Sequence, residues 1–283
     1  MANQISTFKR SFSNELINIL KSEHLYQFLL EDIKKGIVFP CIREERIDFY
    51  HKGGKLFQYD KHGFKTHIKY ASVIERNNKN YLTQDQLKNC VLISDFTKGY
   101  TRIKENCKNF SGVEGTGVSD IFQKHSYAKA SGVIMLDKEV ALRSNDLGKN
   151  HAIIDILLYN PAEKKLKFVE AKHYSNPEIW TATEANVANQ IKRYENLIIL
   201  RKMEIISGYN NYIEIVAELF DAYLPLINDV ECKVPLLIFG FDSDQRSGRL
   251  KKLRLDKPKF EGINIYPIGN VGEINLDNLW AKI

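Results

Sequence analysis

Apolar residues along this chain keep one period up to residue 36, a second up to about residue 75, and a mixture of both from residue 112 onward. Phe8, Phe12, Leu16, Ile19 and Leu20, then Leu25, Phe28 and Leu29, recur at helical spacing and predict helix over residues 7–35. Gly36 stops that pattern. Between residues 37 and 75, Ile47, Phe49, Phe57, Tyr59, Phe64 and Ile68 alternate with polar residues. Gly53-Gly54 and His62-Gly63 mark two turns, so three antiparallel strands are expected there. Residues 76–111 are polar and irregular, interrupted by one apolar strand expected at 91–96. Beyond Gly112, the glycines at 112, 115 and 117 precede a helix expected over 119–130, and a strand is expected over 133–142. Residues 152–159 and 165–172 read as a hairpin. Asn176 suits an N-cap and Pro177 the first turn of a long helix whose apolar stripe is Val187, Ile191, Tyr194 and Ile198. A second amphipathic helix is expected over 212–226, and the apolar run 234–241 reads as a buried strand.

This order of elements belongs to the α/β (α+β) class: a central mixed sheet flanked by helices, preceded by an N-terminal accessory region of helix and antiparallel strands. A loose boundary near residue 100 divides the chain into 1–100 and 101–283. With 283 residues, 43% hydrophobic and 27% charged, the chain has the makings of a sizeable core. A formal charge of +6 permits a nucleic-acid partner without demanding one. No apolar run reaches the length of a membrane span, and the first ten residues lack the apolar segment of a signal peptide, so no membrane partner is expected. Cys41, Cys90, Cys107 and Cys232 are scattered with no CxxC pair, which argues against a zinc clip and for reduced thiols in the cytoplasm.

Charge inside the predicted hairpin changes the picture. Asp155 interrupts an apolar strand, and Glu170 and Lys172 interrupt the next, where unpaired charge is costly to bury. Side chains alternate faces along a strand, so Glu170 and Lys172 share one face and Ala171 points to the other. A loop of residues 161–164 sets Tyr159 opposite Leu166 and Asp155 opposite Glu170. Two carboxylates in direct opposition repel. A divalent cation between them reverses the sign, because Mg²⁺ takes oxygen ligands from one or two carboxylates, water and phosphate. The Ala171 carbonyl could add another oxygen. Lys172 would lie beside bound water and a scissile phosphate, orienting the nucleophile or lowering its pKa and stabilising developing charge.

The series Asp155…Glu170-Ala171-Lys172 resembles the PD-(D/E)xK nuclease superfamily, in which an acidic residue precedes an ExK strand. Downstream, Gln190-x-x-x-Tyr194 resembles the QxxxY motif of its RecB-like branch. The likeness covers roughly residues 112–245, and it makes 101–283 a nuclease-like domain. It implies a restriction-endonuclease-like core, Mg²⁺ or Mn²⁺ held by Asp155, Glu170 and Ala171, and cleavage of DNA phosphodiesters with Lys172 and Gln190 in catalysis. It also implies that Gln190 and Tyr194, on one helix face, contact the nucleic acid. No proline precedes Asp155; Ile154 stands there. For the upstream metal ligand the branch often uses, His125 is the best-placed candidate and Glu114 its rival. A role in restriction or anti-phage defence follows by analogy only, and a homodimer and defence-system partner proteins stay open with it.

Plainer readings compete at several positions. An isolated ExK is cheap, and Glu163-Lys164-Lys165 and Glu231-Cys232-Lys233 are two more; only the middle one ends an apolar strand with an aspartate across a hairpin. Tyr194 is in register with Ile191 and Ile198, so Gln190 and Tyr194 can equally border a core-facing stripe. His151 and His173 read first as strand-end residues. Basic residues from Arg43 to Lys69 alternate with Phe49, Tyr50, Phe57, Tyr59 and Tyr70, which suits nucleic-acid contact but suits a half-buried sheet slightly better. Arg246, Arg249, Lys251, Lys252 and Arg254 form either a phosphate-gripping or a solvated loop. The alternatives to a DNA nuclease are a non-catalytic nucleic-acid-binding protein with the same fold, an RNA-cleaving nuclease, and a structural or interaction protein with no nucleic-acid role.

Overall fold

The helix expected from residue 7 begins only at Asn14, leaving Phe8 and Phe12 in non-helical chain, and it is broken again by Glu23. The computed structural model describes residues 8–73, 83–88, 91–128, 132–142, 152–181, 187–255 and 260–283. Helix α1 (Asn14–Ser22) is N-capped by the Ser13 hydroxyl, and α2 (His24–Lys34) follows directly, because Glu23 adopts extended φ/ψ between them. Strands β1 (Phe39–Arg43), β2 (Arg46–His51), β3 (Gly54–Asp60) and β4 (Gly63–Lys65) then form an antiparallel meander of four strands, one more than the pattern predicts. Lys52 and Gly53, with φ of 46° and 88°, make the two-residue turn between β2 and β3. The aromatic side chains of this sheet, Phe49, Tyr50, Phe57 and Tyr59, are all buried, so they serve packing rather than stacking on bases.

Short elements lead into the second sheet: α3 (Ile68–Ala71), β5 (Ser72–Val73), α4 (Gln84–Lys88), β6 (Val91–Leu92) and α5 (Tyr100–Asn109). The strand expected at 91–96 is only two residues long. Helix α6 (Val113–His125) starts six residues before the expected point, with Gly112 as its N-cap. Its glycines stand inside the helix where a Cβ would crowd its neighbours. One built on Gly117 would lie 2.3 Å from the Phe239 ring, and one on Gly115 would lie 3.0 Å from the Gly53 carbonyl oxygen.

Strands β7 (Ile134–Leu142), β8 (Ala152–Asn160) and β9 (Lys165–His173) run antiparallel, the last two as the expected hairpin. The long helix expected after Asn176 is divided. Asn176 does cap α7 (Pro177–Trp180), but Thr181 is extended, and α8 (Val187–Leu200) carries the predicted stripe. Helix α9 (Lys202–Phe220) begins ten residues before its expected start and ends where Asp221 turns left-handed at φ 55°. Strands β10 (Asp229–Glu231) and β11 (Leu236–Phe239) both lie parallel to β9. After α10 (Ser243–Gln245) and α11 (Lys251–Leu255), strand β12 (Ile265–Ile268) adds parallel to β11, and α12 (Leu276–Lys282) closes the chain. The result is a mixed sheet in the order β12-β11-β9-β8-β7, flanked by helices, with β9 at its centre.

The division at residue 100 does not coincide with a break in the core. One apolar cluster runs from Phe8 to Trp280. Phe39 stacks on Phe122 at 4.9 Å between ring centroids, and the Tyr212 hydroxyl reaches both the Pro40 carbonyl (3.1 Å) and the Leu136 carbonyl (2.8 Å). Among the described residues no helix is long and apolar enough to cross a membrane. His151, Cys90 and Ala130 lie outside the described residues.

Candidate functional site

Asp155, Glu170 and Lys172 come together because β8 and β9 pair in the register that the hairpin length sets. Tyr159 faces Leu166, and the ladder runs on to Ile156 opposite Val169. One further step sets Asp155 against Glu170. There the backbone ladder gives way to a side chain: the Ala171 N–H donates to Asp155 Oδ2 at 3.0 Å. The other edge of β9 is already taken by the next strand, with Glu170 N–H donating to the Pro235 carbonyl at 3.0 Å and Lys172 paired with Ile238. Glu170 and Lys172 are therefore fixed on the central strand, 1% and 9% exposed.

Electrostatics at this point are unbalanced. The two carboxyl groups are within hydrogen-bonding reach of each other. Lys172 Nζ sits 2.9 Å from Glu170 Oε1 and 3.1 Å from Glu178 Oε2. Glu170 Oε2 is buried and has no donor. Burial, and then the Asp155 charge, push the Glu170 carboxyl well above the usual carboxylate range. Burial also raises Asp155, against the pull of Lys172 and the Ala171 N–H. Burial alone would lower Lys172, but the Glu170 and Asp155 charges outweigh it and hold the ammonium above the ordinary lysine value. Two acids and one buried cation leave a deficit of positive charge on the acid side.

A divalent metal fits that deficit. Its ligands would be Asp155, Glu170 and the Ala171 carbonyl, because N–H and C=O of one extended residue leave the strand on the same side and the Ala171 N–H points to Asp155. Among the described residues no group of three or more His, Cys, Asp or Glu converges to hold a metal. Magnesium does not require one, since water and substrate phosphate usually complete its octahedron.

The two upstream candidates separate clearly. Glu114, in the first turn of α6, accepts from the His173 N–H at 3.0 Å and from Asn176 Nδ2 at 2.8 Å, and its charge reaches Asp155. His125 closes the same helix eleven residues later, about 16 Å along the axis. Its Nε2 is 2.9 Å from the Ile274 carbonyl, so the fold takes it away from the acids. His173 has Nδ1 against the Ser175 hydroxyl at 2.7 Å and lines a cavity of about 300 Å³ with Gly240 and Asn270.

Helix α8 supplies the downstream pair in two different ways. Tyr194 is 5% exposed, and its hydroxyl donates to the Ile153 carbonyl at 2.8 Å, so it braces β8 from within the apolar stripe rather than facing solvent. Gln190 is half-buried, and its Oε1 has no hydrogen-bond partner. Sequence reasoning missed Glu178. The Asn176-Pro177 signature announced a helix start, but nothing in it indicated that the second helical residue turns back onto Lys172. The basic tail is kinked at Gly248, where φ and ψ leave the helical region, and the Arg249 guanidinium lies 4.0 Å over the Trp180 ring, two residues from Glu178. Arg246, Arg249, Lys251 and Lys252 are exposed. No family model, no curated protein and no solved structure matches this chain.

Proposed function

We propose that this chain is a metal-dependent nuclease that hydrolyses DNA phosphodiester bonds, built on a restriction-endonuclease-like core of the PD-(D/E)xK type. The observation that carries this reading is the donorless, buried Glu170 Oε2 beside the Asp155 carboxyl, with Lys172 on the same strand face. A metal bound there would neutralise both acids, polarise the scissile phosphate and lower the pKa of a bound water. Asp155 is held in place by the Ala171 N–H, and Glu170 by its central strand. Lys172, kept protonated by Glu170, Asp155 and Glu178, supplies fixed positive charge where the phosphoryl oxygens become more negative. Gln190, with a free acceptor, would take a hydrogen bond from the nucleophilic water or the substrate. The exposed arginines and lysines of 246–252 supply sequence-independent phosphate contacts at the rim.

Incubating supercoiled plasmid with the protein and Mg²⁺ or Mn²⁺ tests this reading. Nicked and linear products are expected, and none with EDTA or in Lys172→Ala. Retention of plasmid without cutting under either metal would make the protein a binder. Cutting confined to RNA in a parallel digest would reassign the substrate.

A further inference from the structure

A second cavity of about 300 Å³ opens where the N-terminal sheet meets β7 and β8. Its charges do not balance. Asp137, fully buried, is 2.8 Å from Arg43 Nη1 and 3.3 Å from Arg10 Nη2. Asp48, 1% exposed, is 3.0 Å from Arg46 Nε and 2.9 Å from Lys55 Nζ. Four cations against two carboxylates leave an excess of two positive charges (4 − 2). The surrounding charges do not cancel it, because Lys9 pairs with Glu44, Lys138 with Glu139 and Arg201 with Glu204. Arg10 and Arg43 form the buried floor, while Arg46 and Lys55 stand part-exposed at the mouth. Uncompensated cations in a half-enclosed site are costly without a counter-ion. Planar guanidinium groups match phosphate oxygens in pairs.

The position of the cavity says which phosphate. Ala141 and Ile153 form its β7–β8 wall and are paired directly opposite each other. Ile153 and Asp155 are two residues apart on β8, so they share a face and stand about 7 Å apart along the strand. We propose that this cavity holds a backbone phosphate of the same nucleic-acid strand whose neighbouring phosphate reaches Asp155 and Glu170. The N-terminal region thereby contributes half of the substrate cradle. The assignment of the strand rests on the nuclease reading, but the anion site can be tested without any cutting.

The experiment uses the full chain in EDTA, so that loss of cleavage and loss of binding are separate results. A fluorescein-labelled single-stranded DNA is titrated by anisotropy at several salt concentrations against wild type, Arg46→Gln and Lys55→Gln. Each substitution is expected to weaken binding by about threefold to tenfold and to lower the slope of log K against log salt by about one. Unchanged affinity and slope in variants that melt like wild type would overturn the proposal. Because Asp48 loses a partner in both variants, a second measurement uses unaltered protein. Inorganic pyrophosphate is expected to raise its melting temperature above that in chloride at equal ionic strength, and no difference overturns the anion site. Adenosine monophosphate that binds tightly while both variants keep full strand affinity would make the cavity a nucleotide site and overturn the strand assignment.

Discussion

The Asp155 carboxylate accepts a hydrogen bond from the Ala171 backbone N–H at 3.0 Å, which makes one side chain both the last rung between β8 and β9 and the first wall of the acid site. Asp155→Asn keeps that acceptor and adds an amide donor facing the donorless Glu170 Oε2. Metal-free Asp155→Asn is expected to be more stable than wild type by about 1 kcal/mol at pH 8, while Mg²⁺ raises the melting temperature of wild type only. The sign with pH follows from the raised carboxyls. Stability from a group whose folded pKa is raised is complete below its unfolded pKa, near 4, and is lost as pH climbs through the folded value. Wild type in EDTA should therefore melt lower at pH 8 than at pH 5 relative to Asp155→Asn, and calorimetry at the two pH values checks this.

Glu178 is the second carboxylate paired with Lys172, at 3.1 Å, and helps to keep the ammonium charged. Glu178→Gln removes one of the charges that raise Lys172, but Glu170 and Asp155 still hold the ammonium protonated across the neutral range. The rate near neutrality should therefore fall by less than about tenfold, far less than the hundredfold or more expected when a transition-state stabiliser is removed outright. Plasmid cutting by wild type and Glu178→Gln between pH 6 and 9 checks that the variant keeps the wild-type profile.

Asp137 is fully buried and accepts from Arg43, from the Tyr209 hydroxyl at 2.8 Å and from the Lys138 N–H at 2.8 Å. Asp137→Asn leaves Arg10 and Arg43 without their shared anion. A loss of about 3–5 kcal/mol in urea unfolding is expected, the cost of breaking a buried ion pair from one side.

Gly117→Ala puts a methyl group within 2.3 Å of the Phe239 ring. Overpacking of this kind costs about 1–3 kcal/mol. Since Glu114 rides on the same helix, the substitution should also slow plasmid cutting, whereas Gly112→Ala, which meets nothing within 4 Å, should leave both properties near wild type.

The hairpin, its register and its three charged residues could be read directly from the chain, because a period of two and a loop of known length leave little freedom. The meeting of Glu114 with His173 could not, because it depends on where α6 begins. The glycines at 115 and 117 looked like an approach to a helix, and only the proximity of Gly53 and Phe239 explains their place inside it. Tyr194 was ambiguous between groove and core for a related reason: periodicity places it on the stripe, and only the Ile153 carbonyl shows that its hydroxyl is satisfied there. Asp137 passed unnoticed because its partners Arg10 and Arg43 lie 127 and 94 residues away in the chain; Asp48 has Arg46 and Lys55 close in sequence, and only its burial sets it apart. The break at Thr181 had no signal in the apolar stripe, because every residue of that stripe lies on α8.

Gly53, in the turn between β2 and β3, lies so close to Gly115 that a Cβ on Gly53 would sit 2.5 Å from the Gly115 carbonyl carbon. Mechanically this is a hinge pin without a washer. Any tilt of the meander is delivered to the opening turn of α6, and through Glu114 to the end of β9 that carries Lys172. Whatever presses on the front portion of the molecule is thereby felt beside the acids proposed to hold the metal.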